Sequence, residues 1–228
     1  QMQTKMSNTI RFLAADMVQR ANSGHPGMPM GLADIMTVFS EYYRHNPKNS
    51  KWLNRDRVVF SGGHGSALIY SMLHLWGYDL SIDDLKNFRQ LDSKTPGHPE
   101  STHTDGIEVT TGPLGQGVAN AVGFSMASQH ASHLLNSDEA KFIDHKVYCF
   151  CGDGDLEEGI SYEACSMAGH NNCDNLVLIY DSNNITIEGD TDISISENIE
   201  LRFTSQGWEV ITIDGHNFNE ITNAFESA

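Results

Sequence analysis

The chain has 228 residues, of which 39% are hydrophobic, and this is enough to build a substantial apolar core, so we expect a single domain over residues 1–228. Its formal net charge of −16 argues against nucleic acids and anionic membrane surfaces as partners. No apolar stretch approaches the ~20 residues that a membrane helix needs, and the amino terminus has no signal-peptide pattern, so we expect a cytoplasmic protein.

The chain has four cysteines, and their spacing does not suggest a disulfide framework. Cys149 and Cys151 would share one face of a strand and are most simply buried thiols. A zinc site that uses Cys173 and His170 is an alternative, although this spacing matches no common zinc pattern.

Apolar residues at helical spacing predict two helices near the amino terminus, around residues 10–17 and 32–39. The segment between them is rich in Gly and Pro and cannot continue either helix. A short apolar run at 57–60 predicts a strand. The helix that follows it is expected to run through Leu75, where Gly77 can end it.

The next segment is more polar. Ser81, with an acidic residue three positions later, is expected to cap a helix that contains Leu85 and Phe88. Residues 90–117 are punctuated by Gly and Pro and are long for a loop, and loops of that length in compact domains are usually functional or disordered. A further helix is predicted over residues 118–135.

The second half of the chain contains a strand, a turn, a helix and another strand. Apolar runs at 147–151 and 176–180 predict the strands, and a right-handed crossover makes such strands parallel. We expect an α/β fold in which a parallel sheet has helices on both faces and ligands lie at the carboxyl ends of the strands. Ser196 is expected to cap a later helix that Gly207 closes. A strand at residues 208–213 and a last helix follow.

Oxygen-bearing side chains lie just past the ends of these two strands. Asp153 stands in a Gly-Asp-Gly turn after the first strand, and Asn183 follows the second. Because the carboxyl ends of parallel strands meet at one edge, the two side chains could share a hard cation. The amides of residues 154–158 open the intervening helix and favour an anion. A cation site next to an anion site predicts a metal-bound diphosphate. The alternative is that Asp153 only caps a helix and Asn183 only forms a turn.

The wider set of motifs resembles transketolase. The Gly-Asp-Gly to Asn-Asn arrangement is similar to the thiamine-diphosphate-binding motif, and four more segments match the family in order along the chain. These segments are residues 23–27, 63–65, 95–100 and 111–117. The resemblance runs from about Ile10 to the end of the chain and implies the thiamine-diphosphate-binding fold, in its diphosphate-binding domain.

The resemblance implies a metal held by Asp153, by Asn183 and by the backbone carbonyl of Ile185. All three are oxygen ligands, as Mg²⁺ or Ca²⁺ prefers. Backbone at residues 112–114 would lie close to the thiamine rings, with Leu114 and Ile187 as apolar walls. The cofactor contacts that the resemblance implies are His64, Gly112, Pro113, Leu114, Gly154, Asn183 and Ile187.

The resemblance places His25 and His98, as the catalytic pair, around the sugar. An unperturbed imidazole pKa of about 6.5 suits proton exchange and hydrogen bonding near neutrality. For any one loop histidine, the alternative is an exposed polar residue without a role. Glu158 falls where the family has a glutamate that meets its twofold mate at the dimer interface, and a solvated carboxylate at a helix start is the alternative.

The implied activity is transfer of a two-carbon ketol unit from a ketose phosphate to an aldose phosphate, in the pentose phosphate pathway. The implied enzyme is a homodimer. Because the chain stops at Ala228, the pyrimidine-binding domain and a later sugar-site histidine would come from further sequence or a partner chain. We therefore expect this chain alone to be inactive.

Three other functions remain open. The first is a cofactor-binding or assembly module without activity of its own. The second is an enzyme similar to dihydroxyacetone synthase, whereas deoxyxylulose-phosphate synthase resembles the pattern less. The third is a metal-dependent phosphatase that uses Asp153, which would leave the loop histidines unexplained.

Overall fold

A computed structural model of the protein describes residues 1–186 and 189–228, so Ile187 lies outside the described residues. The chain divides into two compact units. The first unit comprises Gln1–Ser50, Gly63–Gly112 and Ile211–Ala228, and the second comprises Lys51–Gly62 and Pro113–Val210.

Helices dominate the described part of the chain, and the described strands fall between Arg57 and Asp190. The helices are α1 (Met2–Ala21), α2 (Gly27–Gly31), α3 (Ala33–Tyr42), α4 (Ser66–Leu75), α5 (Ile82–Lys86), α6 (Gln116–Leu135), α7 (Asp153–Glu157), α8 (Gly159–His170), α9 (Ile199–Ser205) and α10 (Phe218–Ser227). The strands are β1 (Arg57–Phe60), β2 (Val147–Gly152), β3 (Leu176–Asp181), β4 (Ile185–Thr186) and β5 (Gly189–Asp190). Short 3₁₀ turns occupy Gly63–Gly65 and Thr191–Ile193.

The first unit is helical. Helix α1 buries Ile10, Ala14 and Met17 on one face and packs against α3 and α4, as its helical spacing predicts. Helix α10 packs against α3, where the Phe225 ring lies 5.7 Å from the Phe39 ring. The predicted first and last helices are therefore confirmed as α1 and α10. Each buries apolar residues against its neighbours.

The capping prediction at α5 is confirmed. The amide of Asp84 donates to the Ser81 hydroxyl oxygen at 3.1 Å, and the amide of Ser81 donates to the Asp84 carboxylate at 2.7 Å. This reciprocal pair satisfies two amides that the first helical turn leaves without a partner. The helix ends at Lys86, so Phe88 is buried just beyond it rather than inside it.

The second unit contains a three-stranded parallel sheet in the order β1-β2-β3. Strand β2 lies in the centre and is buried along its whole length. Helix α6 packs against β1 and β2, and a Cβ atom built on Gly117 would lie 2.5 Å from the Cα atom of Ser61. The glycine therefore lets the helix approach the chain just past β1. The predicted parallel α/β sheet is confirmed.

Three local predictions are wrong. The connection between β2 and β3 was predicted as one helix, but extended backbone at Glu158 separates α7 from α8. Asn198 rather than Ser196 caps α9, with its side-chain oxygen accepting from an amide in the first turn. Residues 208–213 form no strand, since they are largely exposed and no described strand pairs with them.

All four cysteines are free and buried, as predicted for Cys149 and Cys151. Burial raises the pKa of Cys149 and Cys151 well above the usual range, and it raises that of Cys165 to about 12. Among the described residues, no group of three or more His, Cys, Asp and Glu side chains is placed to hold a metal ion. No helix in the described ranges combines the length and the apolar character needed to cross a membrane.

Candidate functional site

The carboxyl edge of the sheet, where β1, β2 and β3 end at Phe60, Gly152 and Asp181, carries the first group of site residues. Gly152 and Asp181 are paired in register, so β2 and β3 end side by side. Asp153 begins α7 directly after β2, and Asn183 lies two residues after β3. The two predicted oxygen ligands therefore emerge at the same edge of the sheet.

Asp153 is buried and only half satisfied. Its Oδ1 atom accepts a hydrogen bond from the Tyr180 hydroxyl, whereas its Oδ2 atom is buried with no hydrogen-bond partner. Burial, and then the bond to Asp153, raises the pKa of Tyr180, so this hydroxyl stays protonated and donates. A buried carboxylate oxygen without a partner is costly. A cation bound at Oδ2 would remove that cost, so the carboxylate fits a metal ion.

The loop after β3 holds the other two predicted metal ligands. The Asn183 Oδ1 atom accepts from the Ile185 amide at 3.1 Å, and its Nδ2 atom donates to Asp181 at 3.2 Å. Both bonds orient the Asn183 carboxamide. Its oxygen has a second lone pair and can also bind a cation. Helix α7 contacts β4, the strand that contains Ile185, so the Asp153 helix and this loop are neighbours.

The anion site predicted at the helix start has a weaker basis in the structure. Helix α7 has only five residues, so its dipole is small compared with that of a long helix. Leu114 lies over the first turn of α7, since a Cβ atom on Gly154 would be 2.8 Å from the Leu114 Cδ1 atom. The turn around Leu114 therefore packs on the helix that carries Asp153.

Asp155, two residues after Asp153, points into the protein. Its side chain has no exposed surface. It accepts hydrogen bonds from the Ser61 hydroxyl at 2.6 Å and from the amides of Gly115 and Gly152 at 2.8 and 3.0 Å. The residue type alone gave no sign of this network, because two of the three donors come from distant parts of the chain.

The second group of site residues lies in the first unit and consists of three histidines, His25, His64 and His98, which we call the histidine cluster. The ring centroids of His25 and His64 are 5.6 Å apart, and those of His25 and His98 are 6.2 Å apart. A Cβ atom on Gly112 would lie 3.5 Å from the His98 ring. Three loops that are far apart in the sequence thus bring their imidazoles together.

Arg89 joins this cluster and was missed by the sequence analysis. Its guanidinium donates to the Ser23 hydroxyl at 3.1 Å and lies 3.3 Å from the Nδ1 atom of His25. Its Nε atom is buried and has no hydrogen-bond partner. A lone arginine between a helix end and a loop carries no motif, so only the folded chain shows that it belongs with the histidines.

The electrostatic surroundings keep two of the histidines neutral. Burial, and then the positive charge of Arg89, lowers the pKa of His25. Burial, Arg89 and His25, in that order, lower the pKa of His98. An arginine remains protonated at all ordinary pH values, so it must donate to His25, whose Nδ1 atom is then the acceptor. Each neutral ring can donate one hydrogen bond and accept another.

Two further predicted residues are exposed. Pro113 lies next to the Leu114 turn in the second unit. Glu158 occupies the extended residue between α7 and α8 and makes no capping hydrogen bond to α8. The Glu158 carboxylate therefore does not cap α8. Its role at a dimer interface stays a prediction. The role of Ile187 also stays a prediction, because that residue lies outside the described ranges.

Comparisons with known proteins show which family this chain resembles. The family model described as "Transketolase, thiamine diphosphate binding domain" matches residues 2–228. A transketolase from Halalkalibacterium halodurans is 55% identical over 223 residues, which cover 97% of this chain and 34% of the relative. A solved transketolase structure from Campylobacter jejuni has a TM-score of 0.96 and 65% identity, and it covers all of this chain and 35% of that one.

A transketolase from Pichia stipitis, solved in complex with sedoheptulose-7-phosphate, has a TM-score of 0.97 and 48% identity over 99% of this chain and 34% of that one. This chain therefore spans about a third of the length of the relatives that it matches. The match covers the sheet edge, the Leu114 turn and the histidine cluster. The chain belongs to the transketolase family, as its thiamine-diphosphate-binding domain.

Proposed function

We propose that this chain is the diphosphate-binding part of an enzyme that moves a two-carbon ketol unit from a ketose phosphate to an aldose phosphate. The proposed cofactors are thiamine diphosphate and Mg²⁺, with Ca²⁺ as an alternative metal. The observation that carries the proposal is the buried Oδ2 atom of Asp153, which lacks a partner at the sheet edge where Asn183 also emerges. Family membership supplies the cofactor class.

Asp153, Asn183 and the carbonyl oxygen of Ile185 would hold the metal ion. These oxygens suit a hard divalent cation, which would in turn bind the diphosphate and neutralise part of its charge. That neutralisation matters because the chain has a net charge of −16, which repels free diphosphate and sugar phosphates. The residues expected to contact the cofactor itself are His64, Gly112, Pro113, Leu114, Gly154, Asn183 and Ile187.

Thiamine diphosphate, when bound, supplies the carbon nucleophile and electron sink that cleavage of a carbon–carbon bond beside a carbonyl requires. The protein residues bind, orient and exchange protons. His25 and His98, kept neutral by burial and by Arg89, would donate hydrogen bonds to sugar hydroxyls and accept a proton at the free ring nitrogen. Arg89 would also attract an anionic substrate locally, against the overall field of the chain.

The substrates and assembly are also part of this proposal. Solved relatives from Pichia stipitis are described as complexes with sedoheptulose-7-phosphate, xylulose-5-phosphate and fructose-6-phosphate, which supports sugar phosphates as the substrate class. The pyrimidine-binding domain would come from the same or a partner chain. Glu158 would lie at the interface of a homodimer. The pentose phosphate pathway, a cytoplasmic location and a single domain over residues 1–228 stay predictions.

Calorimetry with the isolated chain tests the cofactor site. Thiamine diphosphate should bind only when Mg²⁺ is present, and Asp153→Asn should weaken that binding by about tenfold or more, because it removes the charge that the metal needs. Asp83→Asn is the matched control, since Asp83 is an exposed carboxylate on α5. The proposal would be contradicted if thiamine diphosphate bound equally well with and without Mg²⁺. It would also be contradicted if Asp153→Asn bound thiamine diphosphate as tightly as the original protein.

A coupled activity assay tests whether this chain needs a further domain for turnover. The chain alone, supplied with Mg²⁺, thiamine diphosphate and sugar phosphates, should give no turnover above a blank, because it spans only about a third of the length of its transketolase relatives. Addition of a chain that supplies the pyrimidine-binding domain should restore turnover. Turnover by the chain alone would contradict the expectation, and a complemented complex that binds cofactor without turnover would favour the cofactor-binding module.

A further inference from the structure

Asp155 is a buried carboxylate whose hydrogen bonds join three separate parts of the second unit. It has no exposed surface, and its three donors, the Ser61 hydroxyl and the amides of Gly115 and Gly152, are all neutral groups. Burial of a carboxylate is expensive unless each of its oxygens is hydrogen-bonded. Here Oδ1 accepts two hydrogen bonds and Oδ2 accepts one.

The three donors all lie at the carboxyl edge of the sheet. Ser61 follows β1, Gly152 ends β2, and Gly115 directly precedes α6. The Ser61 hydroxyl oxygen also accepts from the Val118 amide at 3.1 Å, which extends the network into the first turn of α6. One side chain therefore fixes the ends of two strands and the start of a helix relative to one another.

Gly115 is the donor that matters most for the cofactor. Its backbone has φ +81°, a left-handed conformation that residues other than glycine rarely adopt. Leu114, which immediately precedes it, packs on Gly154 in the first turn of α7. The bond from the Gly115 amide to Asp155 thus ties the Leu114 turn to the helix that begins with the proposed metal ligand Asp153.

We propose that Asp155 is a positioning residue, which holds the Leu114 turn at the distance from Asp153 that thiamine diphosphate requires. The inference rests on the proposed function, since it assumes that Leu114 contacts the rings and that Asp153 holds the metal. The carboxylate suits this task because it only accepts hydrogen bonds. A carboxamide of the same shape would turn its NH₂ group toward at least one of the donors whose hydrogen bonds Asp155 now accepts, and two donors cannot pair with each other.

The test uses the protein at its full natural length and compares Asp155→Asn with the original protein. Calorimetry should show binding of thiamine diphosphate with Mg²⁺ weakened by about tenfold, because the variant leaves one buried donor unpaired. Hydrogen exchange, measured without cofactor on Asp155→Ala, which removes all three hydrogen bonds, should be faster at the Gly115 amide. That second readout reports the tether directly and does not depend on catalysis.

Ser161→Ala is the matched control. The Ser161 hydroxyl donates to the backbone carbonyl of Asp155 at 2.5 Å, so the variant weakens the same buried region but keeps all three bonds of the carboxylate. It should lower the unfolding temperature yet leave cofactor affinity unchanged. If both variants lose affinity in proportion to their loss of stability, Asp155 is only structural and the inference is overturned.

The remaining outcomes are also decisive. If Asp155→Asn binds the cofactor as tightly as the original protein, the inference fails while the proposed function stands. If the original protein does not bind thiamine diphosphate at all, the proposed function fails and the inference fails with it. Should Asp155→Asn not fold, Ser61→Ala removes one donor and keeps the carboxylate. It should weaken binding by about threefold, and unchanged binding would overturn the inference.

Discussion

The histidine cluster of the first unit stands on loops, whereas the oxygen groups of the second unit stand at the ends of hydrogen-bonded strands. The rings of His25 and His98 keep much of their surface in contact with solvent, while partial desolvation and the charge of Arg89 beside them already lower their pKa. Asp153, in contrast, is buried and has an oxygen that only a further group can satisfy. Both regions hold a buried polar atom without a hydrogen-bond partner, Arg89 Nε and Asp153 Oδ2, but only the second is a carboxylate oxygen that a cation could satisfy.

This difference shows two ways in which a chain prepares a site before its ligand arrives. Sheet register sets the positions at the carboxyl edge, so small changes in packing should disturb it strongly. The charge of one arginine helps to set proton affinity in the histidine cluster, so substitutions there should change titration more than stability. The following predictions test this contrast, beginning with the largest expected effect.

Gly117→Ala should destabilise the second unit by about 2 kcal/mol, because the new Cβ atom would lie 2.5 Å from the Cα atom of Ser61 and force α6 away from the sheet. Gly123→Ala, in the same helix, is the control, since nothing lies within 4 Å of its Cβ position. The control should be neutral or more stable by up to about 1 kcal/mol, as alanine favours helices. Urea unfolding measures both, and equal effects would contradict the packing argument.

Arg89→Gln should raise the pKa of both His25 and His98, since it removes the positive charge that disfavours their protonation. Each pKa should remain below the usual value for histidine, because burial is the larger cause of both shifts. Titration of the ring protons by NMR measures the change. Arg20→Gln is the control, because that guanidinium instead donates to the Lys86 carbonyl. Unchanged pKa values in Arg89→Gln would show that the arginine does not tune the cluster.

The smallest expected effect is a shallow loss of stability on acidification. The pKa values of His25, His98 and His45 are lower in the folded protein than in the unfolded chain. The unfolded chain therefore binds more protons than the folded protein as the pH falls below about 6.5. The free energy of unfolding that these rings contribute is complete above that pH and is lost below it. Thermal unfolding between about pH 8 and pH 5 measures the slope.

A double variant, His25→Gln with His98→Gln, should reduce this slope without abolishing it, since half-buried His45 remains. An identical slope in the double variant would mean that the cluster is not linked to folding. This outcome would also weaken the contrast between the two regions, because the histidines would then titrate as ordinary surface groups.

Much of the architecture was predictable because its causes are local in the sequence. Apolar runs separated by helix-length segments predict a parallel sheet, and that rule alone places Asp153 and Asn183 at one edge. The cap at Ser81 was predictable for the same reason, since its partner lies only three residues away. The strand predicted at 208–213 failed because a strand depends on a neighbour, which its own residues cannot specify.

The sequence by itself determined the three strands of the parallel sheet, most of the helices, the family motifs and the edge at which the oxygen groups emerge, because each follows from periodicity or short spacing. Only the tertiary structure decided that Arg89 joins the histidines and that Asp155 turns inward to bind groups as distant in the chain as Ser61. The physical reason is that a carboxylate or guanidinium has no preferred partner until folding brings donors and acceptors within hydrogen-bonding distance and removes water from around them.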